Sequence, residues 1–142
     1  MIPNFRVWDE ETKTMFDVKG INYNLKVVYG LNTEYIEYNQ KMFPFKNYPI
    51  MQSTGMFDKN GKEIYEGDVV ETTRFKGRCD DVGGYYEYEK DYKGIIKQLE
   101  GCWMIDTGDD AVYLWSELDE NGIIGHKYMD EYKEFLNENK QG

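Results

Sequence analysis

The stretch from Met51 to Glu71, MQSTGMFDKNGKEIYEGDVVE, constrains the fold of this chain more than any other. Asn60-Gly61 stands between two short apolar-polar segments, Met56-Phe57 and Ile64-Tyr65. Glycine takes positive φ at no steric cost and asparagine tolerates it, so a hairpin reversal is predicted at Asp58-Lys59-Asn60-Gly61. Glu66-Gly67-Asp68 marks a second turn. The β-branched run Val69-Val70-Glu71-Thr72-Thr73 then reads as a further strand.

The same alternation recurs along the chain. Phe5-Arg6-Val7-Trp8 and Thr14 to Val18 form a predicted hairpin around a charged turn, Asp9 to Lys13. Gly20 to Asn24 reads as a loop, followed by strands at Leu25–Tyr29 and Glu34–Tyr38. Pro44 and Pro49 bracket a connection outside any ladder, since proline has no N–H to donate. Arg74 to Gly84, with Gly77, Gly83 and Gly84, is expected to break regular structure. Gly94–Leu99, Cys102–Ile105 and Ala111–Trp115 are the remaining strands. Only the end changes period: Tyr128, Tyr132, Phe135 and Leu136 predict an amphipathic helix from Met129 to Asn139. The fold class is mainly β, a small barrel or rolled antiparallel sheets with a short C-terminal helix. The 142 residues fit one domain, with any division near residue 50 separating an N-terminal β lobe, 1–50, from a barrel, 51–142.

Charge bounds the partners. A formal charge of -10 disfavours broad binding to phosphate backbones, which is driven by lysine and arginine displacing counterions. The two cysteines, Cys79 and Cys102, are far apart, show no C-x-x-C spacing and have no histidine neighbour, which excludes a zinc site and suggests reduced thiols. The N-terminus lacks the apolar core of a signal peptide and no window reaches membrane-spanning length, so a cytoplasmic protein without membrane contact is expected.

Several chemistries are suggested by the sequence and fail on spacing. Asp106-Thr107-Gly108 after an apolar strand, with Ile123-Ile124-Gly125 downstream, is similar to the paired signatures of retroviral aspartic proteases. Two such aspartates must share a proton under a flap, and the 16 residues from Asp109 to Ile124 cannot supply the intervening strands. Asp80-Asp81 with Glu87, Glu89 and Asp91 matches no EF-hand loop. His126 has no Ser or Cys nucleophile near it in sequence, and no Walker, dinucleotide, zincin or nucleophile-elbow motif occurs. No catalytic, metal or cofactor residue is assigned.

One segment suits recognition. Tyr85-Tyr86-Glu87-Tyr88-Glu89-Lys90-Asp91-Tyr92 alternates rings with charges. As a hairpin arm it exposes tyrosines among acids, which fits a partner's basic and apolar groups; as part of a packed strand it buries one face instead. Tyr85, Tyr86, Glu87, Tyr88, Glu89 and Tyr92 are the candidate partner-binding residues.

Gln52 to Val70, QSTGMFDKNGKEIYEGDVV, closely resembles the central signature of the YopX family, small proteins encoded by bacteriophages and prophages. Phe5-Arg6-Val7-Trp8-Asp9, Gly94-Ile95-Ile96 and Gly125-His126-Lys127-Tyr128 are similar to its opening, later and closing segments. Met56-Phe57, His126 and a longer Tyr-rich insertion from Arg78 to Tyr92 depart from the pattern. The resemblance implies a β-rich fold with an SH3-like barrel and a life in phage biology, and it brings no catalytic residues. The expectation is a noncatalytic protein in the bacterial host's cytoplasm that binds a host or phage protein, with homo-oligomerisation through exposed strand edges. The alternative is a barrel module contacting nucleic acid or proteins bound to it.

Overall fold

The computed structural model describes residues 4–32, 40–79, 81–115 and 120–133, with positions 76 and 78 as backbone only. Among the described residues the chain is mainly β, with eleven strands in two open antiparallel sheets. It divides into two compact units, Met1–Gly55 and Met56–Gly142.

The first unit holds β1 (Phe5–Asp9), β2 (Thr14–Asn22), β3 (Val27–Leu31), β4 (Gln40–Pro44) and the start of β5 (Met51–Phe57), in the order β4-β3-β2-β1-β5. Val7 faces Phe16 across β1 and β2, and Val28 faces Phe43 across β3 and β4. These four side chains make the core, with Phe16 and Phe43 edge to face at 5.2 Å. The predicted loop at Gly20–Asn24 is instead mostly strand: β2 runs on to Asn22 through a register shift between Val18 and Gly20. Such a bulge absorbs one extra residue without ending the ladder. The strand expected at Glu34–Tyr38 lies outside the described residues. Pro44 closes β4 opposite Val27, at the sheet edge where a missing donor costs no ladder bond.

The second unit holds β6 (Glu63–Tyr65), β7 (Asp68–Cys79), β8 (Tyr85–Leu99), β9 (Cys102–Asp106), β10 (Ala111–Tyr113) and β11 (Gly122–His126). Its sheet runs β10-β9-β8-β7-β11. At their base β7 and β8 are buried on both faces, because adjacent residues point oppositely: Val70 and Ile96 join Ile64, Ile105 and Leu114, while Val69 and Ile95 join Tyr132. The predicted turn at Asp58–Gly61 is present and is built on Asp58. That carboxylate is buried and accepts backbone N–H groups from Asn60, Lys62 and Ile123 at 2.9, 2.8 and 3.1 Å.

Three expectations are corrected. Among the described residues there is no SH3-like barrel: both sheets are open, with β10 and β11 at opposite edges of the second. Closure needs strands of matched length and stagger, whereas β7 and β8 run 12 and 15 residues beside β11 and β9 of 5 each. The C-terminal helix does not begin at Met129, which is extended (φ -71, ψ 138); a single 3-10 turn, Asp130–Tyr132, follows it. Tyr132 is drawn into the β-sheet core, where its hydroxyl donates to the Ile124 carbonyl at 3.3 Å. The remainder of the predicted helix, 134–139, lies outside the described residues. Finally, Arg74 to Cys79 does not break: it is the outer half of β7 and pairs with β8 out to Cys79↔Tyr85.

Candidate functional site

The β7–β8 ladder runs through eleven consecutive residue pairs from Val69↔Ile95 to Cys79↔Tyr85 without a shift. Only its base is embedded in the sheet. Among the described residues β11 accompanies β7 from Asp68 to Glu71 and β9 accompanies β8 from Ile95 to Leu99. Beyond them the hairpin continues as a two-stranded ribbon, and every residue from Tyr85 to Asp91 is exposed.

Arg74 fastens the foot of this arm. Its Nη2 donates to the carbonyls of Tyr113 and Leu114 at 3.1 and 3.3 Å and to Asn121 Oδ1 at 2.9 Å. Nothing local in the sequence marks Arg74 for this task, since its acceptors are supplied some forty residues later. On the other face Thr73 Oγ1 donates to Asp91 Oδ1 at 2.7 Å. Gly77 keeps the ladder going where a glycine was expected to end it: the Tyr85 ring lies over it, filling the space a Cβ would occupy. Covering a strand glycine with a neighbouring ring restores cross-strand contact that the glycine cannot make itself.

Register sorts the predicted recognition residues onto two faces. Tyr86 stands opposite Arg78, Tyr88 opposite Lys76 and Lys90 opposite Arg74. On the reverse, Tyr85 stands opposite Cys79, Glu87 opposite Gly77, Glu89 opposite Phe75 and Asp91 opposite Thr73. Tyr86 and Tyr88, with ring centroids 6.1 Å apart, therefore lie on the face opposite Glu87 and Glu89, while Tyr85 shares the face of the acids. Tyr85, Tyr86 and Tyr88 are 66%, 47% and 41% exposed, whereas Tyr92 is 8% exposed, with Lys90 Nζ 5.1 Å from its ring centroid. Tyr92 belongs to the foot rather than to the exposed arm.

A hollow of about 280 Å³ lies beside that foot, lined by Glu71, Thr72, Asp91, Tyr92 and Lys93 among others. Its charges are of mixed sign, and among the described residues the buried Thr72 hydroxyl meets no hydrogen-bond partner.

The sequence features that imitate catalytic motifs occupy structural positions. Asp106 ends β9, where Oδ1 accepts the Gly108 N–H at 2.9 Å and Oδ2 pairs with Lys97 at 3.0 Å, so it builds its own turn. Cys79 and Cys102 are both exposed thiols. His126 ends β11, its Nδ1 accepting the Tyr128 N–H at 3.3 Å. Among the described residues no group of three or more His, Cys, Asp or Glu is arranged to hold a metal ion. No helix among them is long and apolar enough to cross a membrane.

Fold and site together define a mainly β protein with an exposed hairpin arm. The chain belongs to the YopX family: the family model, described as YopX protein, matches residues 4–131. No curated protein matches the chain. Among solved structures it is similar to the crystal structure of protein EF1440 from Enterococcus faecalis, with 20% identity, a TM-score of 0.49, and coverage of 96% of this chain and 98% of that one.

Proposed function

We propose that the chain is a noncatalytic recognition protein of a phage or prophage, and that the β7–β8 arm is the element by which it binds a host or phage protein. One observation carries this reading: Tyr85 to Asp91 are exposed on both faces of a ribbon that, among the described residues, covers no core. An isolated two-stranded ribbon is marginal in water, so an arm of this kind gains its order from what it meets. Its rings bring large contact area with a polar tip at little rotamer cost.

The test is recovery of proteins from infected host cells by the full chain, compared with a Tyr85→Ser/Tyr86→Ser/Tyr88→Ser variant and with Tyr113→Ser. Tyr113 is exposed to a similar degree but lies on β10. Proteins retained by the native chain and by Tyr113→Ser should be lost with the arm variant. Equal recovery by all three rejects the arm as the binding element.

The alternative partner is a nucleic acid. It is favoured by the basic positions Lys76 and Arg78 recurring along one strand of a ribbon, a shape that enters the major groove. The net charge of -10 opposes it.

A further inference from the structure

We infer that the face of the arm carrying Tyr86 and Tyr88 is a binding surface for single-stranded nucleic acid. This goes beyond the protein partner proposed above and rests on the same reading of the arm as a recognition element. The ladder sorts every charge on the arm. From Thr73↔Asp91 to Cys79↔Tyr85, Arg74, Lys76, Arg78 and Lys90 fall on the face of Tyr86 and Tyr88, while Glu87, Glu89 and Asp91 fall on the other. No cation in that span stands opposite an acid, whereas at the base Glu71 stands opposite Lys93. Cross-strand pairs of opposite charge stabilise a ladder, so a ribbon with no other task gains by setting its charges across from one another. This arm forgoes that gain and keeps two surfaces, each of one sign.

Of the two, the basic surface is the exception. The chain has 27 acidic side chains against 17 Lys and Arg, so an acidic patch is the common outcome and a face with four cations and no acid is not. Its rings are set among the cations. Arg78 stands opposite Tyr86 and Lys76 opposite Tyr88, which gives one unit twice: an exposed ring with a basic position directly across the ladder. A nucleic-acid strand repeats in the same way, base and phosphate, and its bases stack on aromatic side chains while basic ones follow the backbone. An acidic protein segment meets only the cations and leaves the rings idle.

The spacing selects a single strand. Side chains two apart along a β-strand are roughly 6.8 Å apart, and the Tyr86 and Tyr88 ring centroids lie 6.1 Å apart. Bases in a duplex follow one another at about 3.4 Å, each covered by the next, and have no free face for a ring. An extended single strand has one at every base. Arg74 holds the foot through Tyr113, Leu114 and Asn121, which leaves Lys90 and the basic positions 76 and 78 for phosphates. Stacking then supplies more of the affinity than charge does, which is how a chain of net charge -10 accommodates such a ligand.

The experiment is binding of the full chain to a 5′-labelled oligothymidylate of about twelve nucleotides, read by fluorescence anisotropy. The native chain should bind it with log K falling by about 2 per decade of salt, as three phosphate contacts require. Tyr86→Thr/Tyr88→Thr keeps the strand propensity, removes both rings and should bind at least about tenfold more weakly. Tyr86→Phe/Tyr88→Phe should bind as the native chain does. Lys76→Gln/Arg78→Gln should reduce the salt slope to about 0.7. Glu87→Gln/Glu89→Gln, on the reverse face, should not weaken binding. A native chain that leaves the strand unbound at about 100 μM overturns the inference, as does binding that survives the loss of both rings. Duplex DNA bound as tightly as the single strand overturns it too. Oligoglutamate of the same length binding as tightly assigns the face to acidic protein segments and overturns it likewise. If no strand binds while host proteins are still captured through Tyr85, Tyr86 and Tyr88, this inference fails alone. If the strand binds while that capture ignores the arm, only the proposed function fails.

Discussion

Asp58 shows how one side chain can carry a turn. Burial raises its carboxyl pKa, and the backbone N–H groups of Lys62, Ile123 and Asn60 more than offset this, holding it below the ordinary value of 3.8. Asp58→Ala leaves three donors short of an acceptor, and is expected to cost about 2–4 kcal/mol in urea unfolding. Asp9 is the counterpart in the first unit. It is buried at the end of β1, where burial raises its pKa while Lys41, at 2.8 Å, and Thr12 lower it further than burial raises it. A carboxylate whose folded pKa lies below its unfolded one stabilises the protein above the unfolded value and loses that contribution as pH falls through the folded one. Stability should therefore be level near neutrality and fall below about pH 4, with Asp9→Asn and Asp58→Asn each flattening the acid limb of a urea-midpoint profile. The turn at Asp58 was legible in the sequence because Asn60-Gly61 carries its geometry locally. The bond from Asp58 to Ile123 was not, since it spans sixty-five residues and nothing near either end announces it.

Among the elements, β7 and β8 show where reading from sequence stops. Glycine at 77 reads as a break, yet the ladder passes it because Tyr85 lies over it. Gly94 is a different case within the same hairpin: a Cβ there would run into the backbone carbonyl of Asp106 on β9. A ring can swing aside and a paired backbone cannot. Gly94→Ala is accordingly expected to cost about 2–3 kcal/mol, while Gly77→Ala stays within about 1 kcal/mol, both read as shifts in the denaturation midpoint. Replacing residues 75–89 by Asn-Gly, which joins Arg74 to Lys90 through a two-residue turn, should change the stability of the rest by no more than about 1 kcal/mol. A larger loss would mean that the arm supports the core. The C-terminal pattern of Tyr128, Tyr132, Phe135 and Leu136 predicted a helix from spacing alone. Spacing carries no knowledge that Tyr132 has a place beside Val69 and Ile95.

At the scale of the molecule, counting strands gave the right class and the wrong closure. Short strands between turns are common to barrels and to open sheets, and the choice lies in which edges meet, which depends on pairings distant in sequence such as β7 with β11. The candidate residues were legible as a group because alternation of ring and charge is visible in the sequence. Their separation onto two faces required the register. A charge of -10 makes loose retention of duplex DNA unfavourable, so at about 150 mM salt the chain should pass through immobilised DNA. Retention with a steep salt slope would instead favour the nucleic-acid partner. The unshifted ladder of β7 and β8 also limits how such an arm can change over generations. Residues gained or lost in the connection after Cys79 alter only the tip. A single residue gained within either strand, between base and tip, turns over everything beyond it on that strand, exchanging Tyr86 and Tyr88 for Glu87 and Glu89 on a given side. Relatives of this chain should accordingly vary freely in the length of that connection, and within the strands by two residues at a time.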